Sequence, residues 1–405
     1  MQKKRKGCSR RQFLKLAGVT GLGSLLGTQA GAAPPSEGSL ARQNETLKVP
    51  TRPFGRSGRQ VSILALGGMF DIAANQLMLK QALRWGVTYW DTADCYQHGS
   101  EDGIGQYFAK YPQDRSRVFL VTKSDDRDPQ GLSRLLDRSL KRLNTTYIDL
   151  YFVHGMRHID ELNDDTRRWA EKAKAQNKIR LFGFSTHSNM EQCLLAASKL
   201  GWIDGIMMAY NYRTMHSERM QAAVSACAAA GIGLTAMKTQ AGASWFSSGA
   251  EDLHKQFMPK GLTEEQAKLK AVWQNPHIAS ICSQMDSMKL LKANVTAAAD
   301  PTSLSALDMR RLQRYAQQTA GQYCRGCGLI CETAVGGGVP IGDVMRYHMY
   351  GLSYGRNDWA QAHFNSLAPE ARRKMAALDY AEAERRCPQK MPIARLMRAA
   401  LDAWG

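Results

Sequence analysis

Three stretches of the chain decide the fold: VTYWDTADCY (87–96), VFLVTKS (118–124) and YIDLYFVHG (147–155). Each is an apolar run of strand length, rich in β-branched and aromatic residues, and helix-like stretches separate them. Strands that alternate with helices run parallel, so their carboxyl ends open on one face. Asp91, Tyr96, Lys123 and His154 stand at or just beyond those ends. Four ionisable side chains delivered to one face predict an active site.

The same kind of apolar run recurs at residues 62–68, 179–186, 205–211, 231–239 and 278–285. Helical patterns fall between them, for example at 131–143, 164–176, 190–200 and 218–230. Eight strand and helix units predict an α/β fold, a closed (β/α)8 TIM barrel rather than an open doubly wound sheet. No GxGxxG follows any of the strands, which disfavours a Rossmann domain. Ahead of the first unit, LKVPTRPFGRSGRQVSIL (47–64) reads as a short hairpin that turns at Gly55-Arg56-Ser57-Gly58.

The length of 405 residues exceeds what one core fills. A barrel of ~250 residues with a smaller unit beside it is the natural division. The formal charge of +18 invites a nucleic-acid reading, but seven of the basic residues lie in the first 32, which hold no acid. Without that segment the excess is +11 (18 less 7), spread among acids on helix faces with no basic, aromatic stripe. Nucleic-acid binding is therefore not expected.

Ser9-Arg10-Arg11-Gln12-Phe13-Leu14-Lys15 resembles the twin-arginine export consensus. A glycine-rich, mildly apolar stretch (16–27) and the small residues Ala30-Gly31-Ala32 follow it. These features predict a cleaved signal peptide over 1–32, a linker over 33–47 and a periplasmic protein handled by the twin-arginine machinery. The apolar stretch is too short and too glycine-rich to span ~30 Å, so no stable membrane anchor is expected.

Cys8 lies in the signal segment, and the other eight cysteines fall in two groups. Cys95, Cys193, Cys227 and Cys282 are scattered through strands and helices and read as small buried hydrophobes. Cys324, Cys327, Cys331 and Cys387 lie in the last quarter of the chain, and an oxidising compartment leaves disulfides open to them. In the same region 341–350 and 369–386 read as helices. Arg346, Tyr347, His348 and Tyr350 are candidates for an interface with the barrel, although packing or solvation explains most such residues.

TRPFGRSGRQVSILALGG (51–68), DTADCYQHGSE (91–101), VTKS, DLYFVHG, GFSTHS (183–188), AYN and LLKANV (290–295) together resemble the aldo-keto reductase superfamily, in that family's order, over about residues 48–298. The resemblance implies a barrel over 48–305 and carbonyl reduction, or alcohol oxidation, of a small molecule. Asp91, Tyr96, Lys123 and His154 would be the catalytic set. Tyr96 would be the general acid, its pKa lowered by the Lys123 ammonium, with Asp91 holding Lys123 and His154 orienting the carbonyl oxygen or sharing the proton relay. A structural Asp–Lys pair and a packed Tyr or His are the competing readings.

The resemblance also implies NADP or NAD at Gly68, Ser185, Thr186, Met207, Met237, Lys238, Gln284 and Asn294. Several of these depart from the family pattern. Thr186 stands for Asn, Met207 for Gln and Met237 for an aromatic stacker. Gln284 alters the phosphate loop, and Leu290 replaces an arginine that would grip the 2′-phosphate, which removes the basis for strong NADP selectivity.

YCRGCGLICETAVGGG (323–338), with ERRCPQKM (384–391) further on, resembles the ferredoxin-like tail of some relatives, so residues 306–405 would be a small α-helical, cysteine-rich iron–sulfur extension. Cys324, Cys327, Cys331 and Cys387 would bind a [4Fe–4S] cluster. Structural zinc and two disulfides remain the alternatives on spacing. An alternative function follows from the departures: a nicotinamide-independent redox or partner-binding protein, whose barrel is a scaffold and whose tail passes electrons to an exported partner.

Overall fold

The computed structural model describes residues 47–96, 98–242, 253–257 and 260–405. The export signal and nearly all of the linker lie outside the described residues. So do residues 243–252 and 258–259.

Strands β1 (Thr51–Pro53) and β2 (Gln60–Ser62) form the antiparallel hairpin, with Thr51 opposite Ser62. Eight parallel strands follow: β3 (Leu64–Gly67), β4 (Tyr89–Asp91), β5 (Phe119–Ser124), β6 (Ile148–Met156), β7 (Ile179–Thr186), β8 (Gly205–Ala209), β9 (Gly233–Met237) and β10 (Ile278–Gln284). They close into a barrel in chain order, and β10 pairs with β3. The expected (β/α)8 fold is therefore present.

The hairpin plugs one end of this barrel. Phe54 is fully buried among Val61, Ala65, Tyr89, Phe119 and Leu150, with its ring 5.3 Å from that of Phe119. Room for it comes from two glycines. A Cβ at Gly233 would sit 2.5 Å from the Phe54 ring, and one at Gly205 2.9 Å from it. Packing an apolar plug at this end leaves polar residues to the other, the carboxyl ends of the strands, where barrels of this kind carry their sites.

Helices begin where the sequence supplies caps. The Asp128 carboxylate accepts from Gly131 N–H ahead of Pro129–Arg142, Asn163 accepts from Thr166 ahead of Asp164–Ala175, and Ser217 accepts from Met220 ahead of Glu218–Ala229. No helix among the described residues is long and apolar enough to cross a membrane.

Beyond the barrel the chain is helical: Ala306–Gln318, Gly328–Ala334, Ile341–His348, a π-helical turn at Met349–Ser353, Asn357–Asn365, Pro369–Ala377, Ala381–Arg386 and Ile393–Trp404. Ile341, Val344, Phe364, Met397, Ala400 and Trp404 form a second core, and Cys331 and Cys387 belong to it. The single helix expected over 369–386 is broken in two. Leu378 takes an extended conformation, Tyr380 turns inward to donate its hydroxyl to Met375 O, and Asp379 caps Ala381 N–H.

The extension docks on the loops at the carboxyl ends of β6 to β9. Arg157 after β6 pairs with Asp343, and Asn211 after β8 donates to the Tyr323 hydroxyl at 2.9 Å. Arg213 donates to Thr319, and Arg325 donates back to Arg213 O. Gly326 lies against the backbone after β7. Its φ is +74°, its carbonyl accepts from Asn189 N–H at 2.7 Å, and a Cβ there would lie 2.0 Å from His187 O. Only glycine suits both the dihedral and the approach.

Candidate active site

Asp91 ends β4 and Lys123 lies on its neighbour β5, and both are buried. The Lys123 ammonium donates to both Asp91 carboxylate oxygens, at 2.7 and 2.8 Å, and to Thr92 O at 2.7 Å. An ammonium has three protons, and these acceptors use them. The Tyr96 hydroxyl is a fourth and longer contact at 3.3 Å.

This arrangement corrects one expectation. Tyr96 is not made more acidic. Burial, and then the negative Asp91, push its pKa well above that of a free phenol. The charge of Lys123 is answered by Asp91, so its pull on the phenol is cancelled at short range. Tyr96 is thus held as a neutral O–H donor at the barrel mouth.

His154, on β6, presents its ring edge-on to Tyr96, with centroids 6.0 Å apart. Its Nδ1 lies 2.8 Å from Asp125 Oδ1 and 3.4 Å from Cys95 Sγ. Burial raises the Asp125 pKa, but the hydrogen bond and charge of His154 outweigh it and hold the carboxyl at about 2. Burial in turn lowers the His154 pKa, so the ring is neutral near pH 7. An ionised Asp125 accepts a hydrogen bond from Nδ1–H, which leaves Nε2 an acceptor. In this state the ring offers the cavity an acceptor and no donor, which disfavours its orienting a carbonyl oxygen and leaves the proton relay as its expected part.

The four residues line one cavity of roughly 820 Å3. Of the cofactor candidates, Ser185, Met207, Met237, Lys238 and Gln284 line it too. Gly68, Thr186 and Asn294 do not. Gly68 is backed against Asp91 O and Ser100 Oγ, with no room for a Cβ. Thr186 is spent on the backbone of Met156 and Ser188, and Asn294 donates to Ser283 Oγ at 3.1 Å. The residues fit a dinucleotide at its nicotinamide end through Ser185. They do not fit a 2′-phosphate well, since Leu290 is an apolar exposed residue and Gln284 sits beside Asp286.

The extension supplies the far wall of the cavity with Arg346, Tyr350, Tyr354, Arg356, Trp359 and His363. Of the interface candidates, Arg346 and Tyr350 face the cavity. Tyr347 packs in the second core, and His348 binds Leu396 O at 2.8 Å. The sequence reading missed Asp125, Arg356 and Trp359. Asp125 directly follows the VTKS strand, which is the one local signal that could have found it.

The Cys324, Cys327, Cys331 and Cys387 thiols meet around one small cavity walled by Ile330, Ile341, Met345, Met391 and Ile393. All four are free thiols, and Gly326 N–H points to Cys324 Sγ at 3.4 Å. Burial, then Cys387 and Glu191, push Cys327 up to about 11, while Cys331 is pushed up to about 12 by burial, then Cys327 and Glu332. Four thiolates here need a positive centre among them, so the donor set fits a thiolate-bound metal. Among the other cysteines, Cys193 and Cys227 are buried as expected. Cys95 is exposed and Cys282 only half buried, 3.6 Å from Asp91 Oδ2, which corrects their reading as core residues.

The sequence profile of the aldo/keto reductase family matches residues 65–322, well over half of the chain. The chain belongs to the aldo/keto reductase family. The match stops just short of Cys324. Similar family members include the aldo-keto reductase AMT2 of Alternaria alternata, 26% identical over 243 residues, which cover 48% of this chain and 66% of that one. The aldo-keto reductase yakc of Schizosaccharomyces pombe, whose name specifies NADP(+), is 31% identical over 200 residues, 44% of this chain and 57% of that one. The chain thus spans somewhat under two thirds of these relatives. Among solved structures, the holo form of aldo-keto reductase AKR11C1 from Bacillus halodurans shares the fold with a TM-score of 0.55 at 23% identity, covering 66% of this chain and 96% of that one. The thermostable aldo-keto reductase Tm1743 gives a TM-score of 0.55 at 24% identity, covering 66% and 99%.

Proposed function

We propose that this family member is an exported, periplasmic oxidoreductase acting on a small-molecule carbonyl or alcohol, with Tyr96 as the proton donor and an iron–sulfur cluster in the C-terminal extension. The observation that carries the reading is Lys123 saturated by Asp91 and Thr92, which keeps Tyr96 protonated at the mouth of the shared cavity. Tyr96 holds the substrate oxygen and gives it a proton in the reducing direction, where charge develops on that oxygen. His154, fixed by Asp125, accepts from a hydroxyl on the substrate. Ser185 and Lys238 would hold a nicotinamide dinucleotide, which supplies or receives hydride when bound.

Cys324, Cys327, Cys331 and Cys387 would hold the cluster, which supplies single electrons. Among the described residues no three of these sulfurs lie within 4.8 Å of one another. One zinc ion with bonds of ~2.3 Å would draw them to about 3.8 Å, so the wider spacing favours a larger cluster over zinc. A narrow cavity lined by Cys324, His187, Arg346 and Lys238 lies between the cysteines and the barrel cavity, which supports coupling of the two. Export by the twin-arginine machinery rests on the signal motif and suits a protein that folds around a cofactor before transport. An exported electron-transfer partner would then meet the extension.

Turnover of alcohols and aldehydes by the purified protein, compared with Tyr96→Phe, tests the acid. Survival of activity in that variant would sink the assignment. A nicotinamide-independent redox role is favoured instead by Met207 and Met237, which offer no strong hydrogen bond where the family binds the ring. Iron and sulfide analysis with an absorption spectrum tests the cluster, and Cys387→Ser is expected to bleach it.

A further inference from the structure

The catalytic set leaves Tyr350, an ionisable residue of the cavity, without a role. Tyr350 comes from the extension, on the π-helical turn Met349–Ser353, and lines the same cavity as Tyr96. π-Turns cost regular hydrogen bonding and are frequent at functional sites. Tyr350 is hydrogen-bonded to the Lys238 ammonium at the end of β9, which also lies 4.2 Å from its ring centroid. Trp359 stacks on the ring at 4.1 Å, and Tyr354 packs edge-on to it at 5.5 Å. These contacts position the phenol.

We propose that Tyr350, held by Lys238, is a second proton-transfer residue of the barrel cavity, the one that accepts the proton of a substrate hydroxyl. The proton passes from the substrate oxygen to the Tyr350 oxygen, and the Lys238 ammonium compensates the charge of the phenolate before the transfer. This deepens the oxidoreductase reading, and rests on it: for a substrate whose hydroxyl reaches Tyr350 rather than Tyr96, the same phenol takes the proton in oxidation and returns it in reduction.

The charges around the two phenols explain the division of roles. At Tyr96 the adjacent ammonium is neutralised by a carboxylate. At Tyr350 the neighbours are Lys238 from the barrel, Arg346 from Ile341–His348 and Arg356 beyond the turn, with the phenols Tyr96 and Tyr354 and the ring of His363 nearby. Asp343, the carboxylate on that side, is shared between Arg157 and Arg346. Burial alone would raise the Tyr350 pKa, but Lys238 and then the two arginines lower it below that of a free phenol. Two like groups pushed apart in one site mark an acid and a base.

The test is a pH titration of tyrosinate absorbance on the whole purified protein. One phenol is expected to ionise ahead of the rest. That step should vanish in Tyr350→Phe, move to higher pH in Lys238→Met, return in Lys238→Arg and persist in Tyr96→Phe. Tyr350→Phe keeps the ring and its stack on Trp359, so the fold is retained. A Tyr350→Phe curve that overlays the wild type overturns the proposal. In alcohol oxidation Tyr350→Phe should lower kcat by about 10²-fold with little change in KM and abolish the acid limb of the pH profile. An unchanged limb also overturns it. If the wild type turns over no alcohol, the oxidoreductase reading fails, and the titration still decides whether Lys238 prepares Tyr350 as the first phenol to ionise.

Discussion

On β4 to β6, the two ionic pairs at the catalytic residues close within the barrel: Asp91 with Lys123, Asp125 with His154. On β8 and β9 the positions facing the same cavity are Met207 and Met237, and the polar groups opposite them come from residues 346–363 of the extension. One half of the rim is self-sufficient and the other is completed from outside. Damage to the first should therefore abolish chemistry outright, whereas damage to the second should act through the extension.

The largest effect is expected at Tyr96 and Lys123. Tyr96→Phe should lower turnover by about 10²–10⁴-fold, the usual contribution of a positioned acid, without loss of fold as read by circular dichroism. Asp91→Ala strands the buried Lys123 ammonium. Denaturant unfolding should show a loss of about 3–5 kcal/mol, and Lys123→Met introduced into that variant should recover part of it. Equal stability of Asp91→Ala and wild type would mean that the pair is not buried as described.

On the other half, Gly326→Ala places a methyl against His187 O at a dihedral that favours glycine. It should loosen the extension, with about 1–3 kcal/mol lost and faster proteolysis after residue 322, while the Asp91–Lys123 half stays intact. The smallest effect is at Asp125. A carboxyl held at about 2, against an ordinary 3.8, contributes stability that is complete above about pH 4 and is lost as the pH falls through about 2. Because the side chain is 53% exposed, solvent screens this to under ~1 kcal/mol. Asp125→Asn should flatten that acid transition and shift the pH profile of turnover through His154.

The asymmetry of the rim also explains what could be read from the chain. All eight barrel strands lie where the apolar runs place them, and β7 matches its predicted bounds, because runs such as IRLFGFST are dictated by local pattern. The four residues were legible as a group because they lie near or just beyond the carboxyl ends of three successive strands. Arg356 and Asp125 were not, and Tyr350 was legible only as a candidate for the interface with the barrel. Tyr350 and Arg356 act across more than a hundred residues of sequence separation, through the docking of Gly326 and Asp343, and no periodicity encodes a contact of that kind. The direction of the Tyr96 shift was misjudged because one ammonium was weighed without counting how many acceptors shared its three protons. The break at Leu378 in the predicted helix 369–386 was hidden by good helix formers on both sides.

The most direct test of a self-sufficient half and a completed half is an anaerobic fluorescence titration of the purified protein, wild type and Tyr350→Phe, with NADH and with NADPH. The account predicts saturable binding of both dinucleotides within about tenfold of each other, since no arginine stands at position 290, and weaker binding in the variant because Lys238 loses its partner in the cavity. Absence of binding, or a strong preference for NADPH that Tyr350→Phe leaves untouched, would contradict it.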